Sequence, residues 1–175
     1  MTLAQALAGS PASADVLQTQ TLLNIPFLGF DGQTHIGQLV VHRELAGEVA
    51  EIFRQILIAR FPIQTMVPIV AFGWNDDASM AANNCSAFNY RVKVGKSELS
   101  SHATGRAVDI NPHQNPYMRG EFVLPPGAVY DLAAPGTLTE NSAPVRAFEG
   151  LGWEWGGRWT TLKDYHHFEC SRLLA

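Results

Sequence analysis

Cysteine is scarce in this chain, since Cys85 and Cys170 are the only two among 175 residues. This excludes a small disulfide-stapled scaffold, and a chain of this length can bury a core without such cross-links. Charged residues are also few, at 16%. The 12 basic and 16 acidic residues give a formal net charge of −4 and contain no basic block. We therefore expect no nucleic-acid partner.

Long apolar runs are missing as well. No stretch approaches the roughly 18 apolar residues that a membrane helix needs, so we expect no membrane span. Residues 1–13 lack a positive start and a long apolar core, and no signal peptide is visible in them. The remaining composition, with 46% hydrophobic residues, 15 Gly and 10 Pro, is typical of a globular, loop-rich mixed fold.

Apolar spacing predicts the main elements of one domain. The clearest helix spans 44–60, where apolar residues recur every three or four positions before Pro62. The other expected elements are a short helix within 14–24, strands over 35–43, 67–72, 105–111 and 164–170, a long loop over 112–141 and a helix over 143–149. We expect residues 1–24 to form an N-terminal arm and residues 25–175 to form the domain.

Two short segments combine histidine with carboxylate. His102 precedes Asp109 by seven residues, with Gly105 between them, and Asp164 precedes His167 by three. A catalytic zinc site needs three nitrogen or oxygen ligands and an open position for water. His102, Asp109 and His167 would supply two imidazoles and one carboxylate. Asp164 would then be a carboxylate near that water, which is the general base that a hydrolase needs.

The second segment also contains a competing pair, His166 and Glu169. Side chains alternate along a strand, so His166 and His167 would point to opposite faces and only one of them could bind the ion. Periodicity alone does not decide which. The alternative for the whole set is unrelated surface chemistry.

Longer stretches around these residues resemble the M15 peptidases, which are zinc-dependent enzymes that cleave peptidoglycan stem peptides. The stretches are NNCSAFNYR at 83–91, LSSHATGRAVDINP at 99–112, and GWEWGG at 152–157 followed by Asp164-x-x-His167-Phe168. The last of them looks like the subgroup that includes L-alanyl-D-glutamate endopeptidases. Related carboxypeptidases and dipeptidases of the family act on D-alanyl-D-alanine.

The resemblance implies a fold and a metal site. Residues 25–175 would be a zinc peptidase catalytic domain of the α+β class, with a mixed, mainly antiparallel sheet and flanking helices. His102, Asp109 and His167 match the zinc ligands, and Asp164 matches the acidic general base.

The resemblance also assigns residues that would contact the substrate. Arg91 matches an arginine that binds the substrate and stabilises the oxyanion, whereas by itself it would be interpreted as part of a surface salt bridge. Ser101 would orient the substrate or its loop. Trp153 and Trp155 could line the cleft, with packing in the core as the equal alternative.

The function expected from the sequence is that of a zinc metallopeptidase, a peptidoglycan hydrolase that cleaves the L-Ala–D-Glu bond. The alternatives are a D-Ala-D-Ala carboxypeptidase and a non-catalytic, hedgehog-like zinc-binding domain. The presence of both Asp164 and Arg91 favours catalysis. We expect a monomer that acts on the cell wall, in the periplasm or outside the cell.

The two cysteines give a further expectation, because each lies near one of the motifs. Segments that converge on one zinc ion would bring Cys85 and Cys170 close together. They would form either a disulfide, which implies an oxidising compartment, or two buried free thiols.

Overall fold

The structure is a computed structural model, and it describes residues 1–172. The helices are α1 (Leu3–Ala6), α2 (Ala14–Leu17), α3 (Ala46–Ile58), α4 (Asp76–Ala81) and α5 (Ala143–Gly150). The strands are β1 (Gln20–Leu28), β2 (Thr34–His42), β3 (Thr65–Met66), β4 (Asn84–Cys85), β5 (Ala107–Asp109), β6 (Tyr117–Arg119), β7 (Phe122–Leu124), β8 (Glu154–Trp155), β9 (Lys163–Asp164) and β10 (His167–Glu169). No helix within 1–172 is long and apolar enough to cross a membrane.

The strands form four small sheets, and the pairing is mainly antiparallel. β1 and β2 make a long hairpin, β10 lies between β5 and β8, and β6 lies between β7 and β9. Only the short β3–β4 pair, among the described strands, is parallel. The predicted α+β class is confirmed, with the strands distributed over separate small sheets.

Helix α3 and the last strand share one core. The buried side chains of α3 are Val49, Ile52, Phe53 and Ile56, at the spacing that the sequence predicted. Phe53 meets Phe148 of α5 edge-on, at 6.4 Å between ring centroids, and Phe148 stacks on Phe168 of β10 at 4.0 Å. Because Phe168 is fixed in this core, its neighbours His167 and Glu169 are directed to the other face of β10.

Regular elements lie within residues 1–24, which were expected to form the N-terminal arm. Residues 20–24 belong to β1, so the boundary between residues 24 and 25 falls inside a strand. Residues 1–13 contain α1, which begins with a capping box at Thr2. Ala6 of this helix is 1% exposed and packs in a small cluster with Val40 and Phe88. Tertiary packing therefore orders a segment whose small residues suggested flexibility.

Two other expectations differ from the structure. Residues 67–72 were expected to form a strand, but residues 69–72 form a 3-10 turn that ends at Gly73. A short apolar run does not distinguish a strand from a buried turn by periodicity. Residues 112–141 were expected to be one long loop, but they contain the hairpin of β6 and β7.

Candidate metal centre

His102 lies on a 3-10 turn over Ser101–Thr104, immediately before β5. The side chain of Ser100 caps this turn by accepting a hydrogen bond from the backbone N–H of His102, at 3.3 Å. Gly105 ends the turn with φ +68°, in the left-handed region that favours glycine. A Cβ at Gly105 would meet Oε1 of Gln20 and would lie 2.6 Å from the backbone nitrogen of His42. Only glycine therefore lets the chain turn from His102 into β5 at this place.

A Gly105→Ala variant is expected to lose about 2 kcal/mol or more of unfolding free energy, from the left-handed backbone and the steric overlap together. Gly120→Ala is the matched control, because Gly120 has φ +60° and open space around its Cβ position. The control should lose only the backbone contribution, about 1–2 kcal/mol. Chemical denaturation of both metal-free variants measures the difference, and equal losses would contradict the close packing at Gly105.

Asp109 and His167 face each other across two paired strands. β5 and β10 are antiparallel, and their register places His167 directly opposite Asp109. Directly opposed residues have their side chains on the same face of the sheet. The same pairing places Phe168 opposite Val108, and both are fully buried in the core.

The predicted ligand set converges on one point. The Nε2 atom of His102 lies 3.0 Å from Oδ2 of Asp109, and Nδ1 of His167 lies 3.0 Å from Oδ1 of the same carboxylate. The two ring nitrogens are 3.1 Å apart. All three residues are buried, and their ligand atoms lie within 4.8 Å of one another. Two imidazoles and one carboxylate in this arrangement fit a small divalent cation such as Zn²⁺.

The outward-facing ring nitrogens of both histidines also have partners. The Nδ1 atom of His102 lies 2.5 Å from the backbone oxygen of Ala87, and Nε2 of His167 lies 3.4 Å from Oε2 of Glu169. Histidines that bind metals usually donate the second ring N–H to an oxygen in this way. The arrangement thus leaves Nε2 of His102 and Nδ1 of His167 for an ion.

Electrostatics keep the carboxylate of the centre ionised. Burial raises the pKa of Asp109, but the charges of His102 and His166 outweigh burial and hold this pKa well below its usual value. Burial by itself lowers the pKa of His167. Its hydrogen bonds to Asp109 and Glu169 act in the opposite direction, and the pKa is raised to about 10. A cation must therefore displace a proton from His167 when it binds.

His166 does not point away from the centre, which corrects the expectation from strand alternation. It precedes β10 and lies in the turn after β9, where alternation does not apply. Its Nδ1 atom lies 2.7 Å from the backbone oxygen of Asn115, and its Nε2 atom lies 3.0 Å from Oδ1 of Asp164. Burial lowers the pKa of His166, but the charges of Asp164 and Asp109 raise it to about 9.

A pocket of about 280 Å³ opens beside the centre. Its lining comes from α4, from residues 91–100, from the β6–β7 hairpin and from residues 159–169. The charged and aromatic residues on it are Asp76, Arg91, Lys93, Lys96, Tyr117, Trp159, Asp164, His166, His167 and Glu169.

Asp164 lies on this pocket at the end of β9. Its Oδ1 atom is buried and has no aligned hydrogen bond within residues 1–172, although it lies 3.0 Å from Nε2 of His166. Gly156 allows the backbone of β9 to pack closely against residue 156, because a Cβ at Gly156 would lie 2.5 Å from the backbone oxygen of Asp164. The glycines of the GWEWGG segment thus contribute to the site by close packing.

Arg91 lines the pocket and also forms an ion pair. Its Nε atom lies 2.9 Å from Oδ2 of Asp76, whose other oxygen accepts a hydrogen bond from Asn89 at 3.0 Å. The sequence left two alternatives for Arg91, a salt bridge or a place in the substrate site. In the structure Arg91 forms a salt bridge and also lines the pocket beside the centre.

Trp155 and Ser101, which were also predicted to contact the substrate, are placed differently. Trp155 is 2% exposed, lies in the core, and donates its indole N–H to the backbone oxygen of Tyr165 at 2.8 Å. A side chain so enclosed has no surface for a substrate, so its assignment as a substrate contact is corrected to core packing. Trp159 lines the pocket instead, with its ring centroid 5.6 Å from that of His167. Ser101 donates a hydrogen bond to Glu169, and Ser100 is the serine on the pocket wall.

Cys85 and Cys170 are both free and buried, which decides between the two expectations. Both belong to the main core. Burial raises the pKa of the Cys85 thiol well above its usual value. The disulfide argument for an oxidising compartment does not hold.

Comparison with known families bears on the segment that carries the centre. Residues 94–170, somewhat less than half of the chain, match a peptidase family-M15 model described as D-alanyl-D-alanine carboxypeptidase. This segment is similar to the M15 peptidases. It contains the three converging ligands together with Asp164, His166 and Glu169, whereas Arg91 precedes it. No curated protein and no solved structure matches the chain.

Sequence reasoning missed several pocket residues of this candidate centre. Asp76, Lys93 and Lys96 carried no motif, because their place on the wall depends on how α4 and the residues after Arg91 fold beside the ligands. Trp159 did have a signal, since it lies in the same Trp-rich stretch as Trp153 and Trp155.

Proposed function

We propose that this protein is a zinc-dependent peptidase that hydrolyses peptidoglycan stem peptides, at the L-Ala–D-Glu bond. The M15 match supports a peptidase acting on peptidoglycan-type substrates. The observation that carries the proposal is the convergence of His102, Asp109 and His167 beside a pocket that also presents Asp164 and Arg91.

His102, Asp109 and His167 would hold the zinc ion. Three nitrogen and oxygen ligands are the usual set of a catalytic zinc site, and they leave a coordination position open. When bound, zinc supplies Lewis-acid polarisation of a carbonyl and makes water more acidic.

Asp164 would act as the general base. Its buried Oδ1 atom lacks an aligned hydrogen bond within the described residues, so it retains capacity to accept a proton. The carboxylate is not one of the three converging ligands, which is the arrangement that a base beside a metal requires. His166, whose Nε2 atom lies 3.0 Å from Oδ1, can hold the carboxylate in place.

Arg91 would bind an anionic group of the substrate. The ion pair with Asp76 orients the guanidinium, and Asn89 in turn fixes Asp76. An oriented cation on the pocket wall can hold either a substrate carboxylate or the oxyanion that develops during hydrolysis.

A D-Ala-D-Ala carboxypeptidase is the second candidate, and the description of the matching family model favours it. Both candidate bonds leave a free carboxylate on the residue that supplies the amine, so Arg91 suits either substrate. A non-catalytic zinc-binding domain is less favoured, because it would not need a base and a cation on the same pocket. From the substrate we infer action in the periplasm or outside the cell.

Incubation of the zinc-loaded protein with purified muropeptides is expected to yield products cleaved between L-Ala and D-Glu. Mass spectrometry of the products identifies the bond directly. Release of a single D-Ala would instead select the carboxypeptidase. Intact muropeptides, with zinc still bound to the protein, would contradict both peptidase proposals and favour a binding domain.

A further inference from the structure

Glu169 lies on the same face of β10 as the metal ligand His167. The two residues are separated by Phe168, which points into the core, and strand alternation returns Glu169 to the face of His167. The side chain of Glu169 is 19% exposed, and that of His167 is 7% exposed. The carboxylate is thus shielded from most of the solvent beside the imidazole.

One oxygen of Glu169 serves two partners. Oε2 accepts a hydrogen bond from the hydroxyl of Ser101 and lies 3.4 Å from Nε2 of His167. Ser101 directly precedes His102 on the 3-10 turn. Glu169 therefore connects the loop that carries the first ligand with the ring of the third.

The other side of the His167 ring faces the centre. Its Nδ1 atom lies 3.0 Å from Asp109 and 3.1 Å from Nε2 of His102. An imidazole that donates Nε2–H to a carboxylate presents the lone pair of Nδ1. The position of Glu169 thus selects which nitrogen of His167 is offered to an ion.

We propose that Glu169, held by Ser101, is a positioning residue that fixes the His167 ring so that Nδ1 binds the metal. This inference rests on the proposed metal site. It also assigns Glu169 a role other than general base, because its Oε2 atom is already engaged by Ser101 and His167. Such outer partners of a ligating histidine typically contribute about 10–100-fold in metal affinity.

The test uses the full chain, stripped of metal and titrated with Zn²⁺ in competition with a chromophoric chelator. Glu169→Ala is expected to weaken zinc affinity by about 10–100-fold. Ser101→Ala should give a smaller loss in the same direction, because Glu169 keeps its contact with His167. The visible spectrum of the Co²⁺-substituted protein should change in Glu169→Ala, since a reoriented ring alters the ligand field.

Glu154→Ala is the matched control. Glu154 is exposed, lies opposite Glu169 on β8, accepts a hydrogen bond from Ser171, and is not among the residues that line the pocket. The control should keep the wild-type affinity and Co²⁺ spectrum.

Zinc affinity and a Co²⁺ spectrum of Glu169→Ala that equal those of the wild type would overturn the positioning role. If Glu169→Ala fails to fold, as judged by circular dichroism, unchanged zinc affinity in Ser101→Ala and in Glu169→Leu, which removes the acceptor at similar size, would overturn it equally. A wild-type protein that binds no Zn²⁺ would instead overturn the proposed metal site, and the inference with it.

Discussion

A His102→Ala variant is expected to lose nearly all of its zinc, from one ion per wild-type chain. The imidazole supplies one of only three converging ligand atoms, and no other His, Cys, Asp or Glu within residues 1–172 joins the group. The loss of affinity should exceed the roughly 10–100-fold that removal of an outer partner costs, because a direct ligand is removed. Metal analysis after gel filtration measures it, and cleavage of muropeptides should fall with the zinc content.

His35→Ala is the control for this experiment. His35 is an exposed histidine that pairs with Asp31, far from the three ligands in the chain, and it should keep its zinc. Thermal unfolding of metal-free His102→Ala must show a folded protein, since Asp109 loses one of its buried partners. Full retention of zinc by the folded variant would refute the assignment of the centre.

An Asp164→Asn variant should hydrolyse muropeptides about 10²–10⁴-fold more slowly, which is the usual effect of losing a general base. Asparagine keeps the size of the side chain, but its neutral carboxamide cannot act as a base. Zinc content should remain near one ion per chain, because Asp164 is not one of the three converging ligands. Rate measurements at saturating substrate, with zinc analysis of the same sample, separate the two effects.

Asp15→Asn, on the exposed face of α2, is the control that removes a carboxylate without touching the pocket. A wild-type cleavage rate in Asp164→Asn would show that another group takes the proton. Glu169 would be a poor general base in place of Asp164, because Ser101 and His167 already engage its Oε2 atom.

The sequence predicted those elements whose signal is local or strongly periodic. Helix α3 has four buried residues at helical spacing, β5 and β10 lie within the strands that were expected, and β2 differs from its expected strand by one residue at each end. The metal ligands could be predicted for another reason, since His102 and Asp109 flank one tight turn and His167 lies in a second recognisable motif.

Features that depend on long-range packing could not be predicted. Ala6 is buried in a cluster with Val40 and Phe88, and Trp155 lies on β8, which pairs with β10. His166 turned out to lie beside the centre because it is in a turn, and the exact start of β10 cannot be read from periodicity. In each case the deciding contact is remote in the sequence.

The register of β5 against β10 has a consequence for how long the folded protein survives. An ion held by Asp109 and His167 is a cross-link between residues 58 positions apart. If the ion binds only the folded chain, a free-ion concentration 100 times the dissociation constant would add about 2.7 kcal/mol to stability by mass action. The proposed site would therefore tie stability to metal supply, because a chain without the ion would open more often and be cut more readily by proteases.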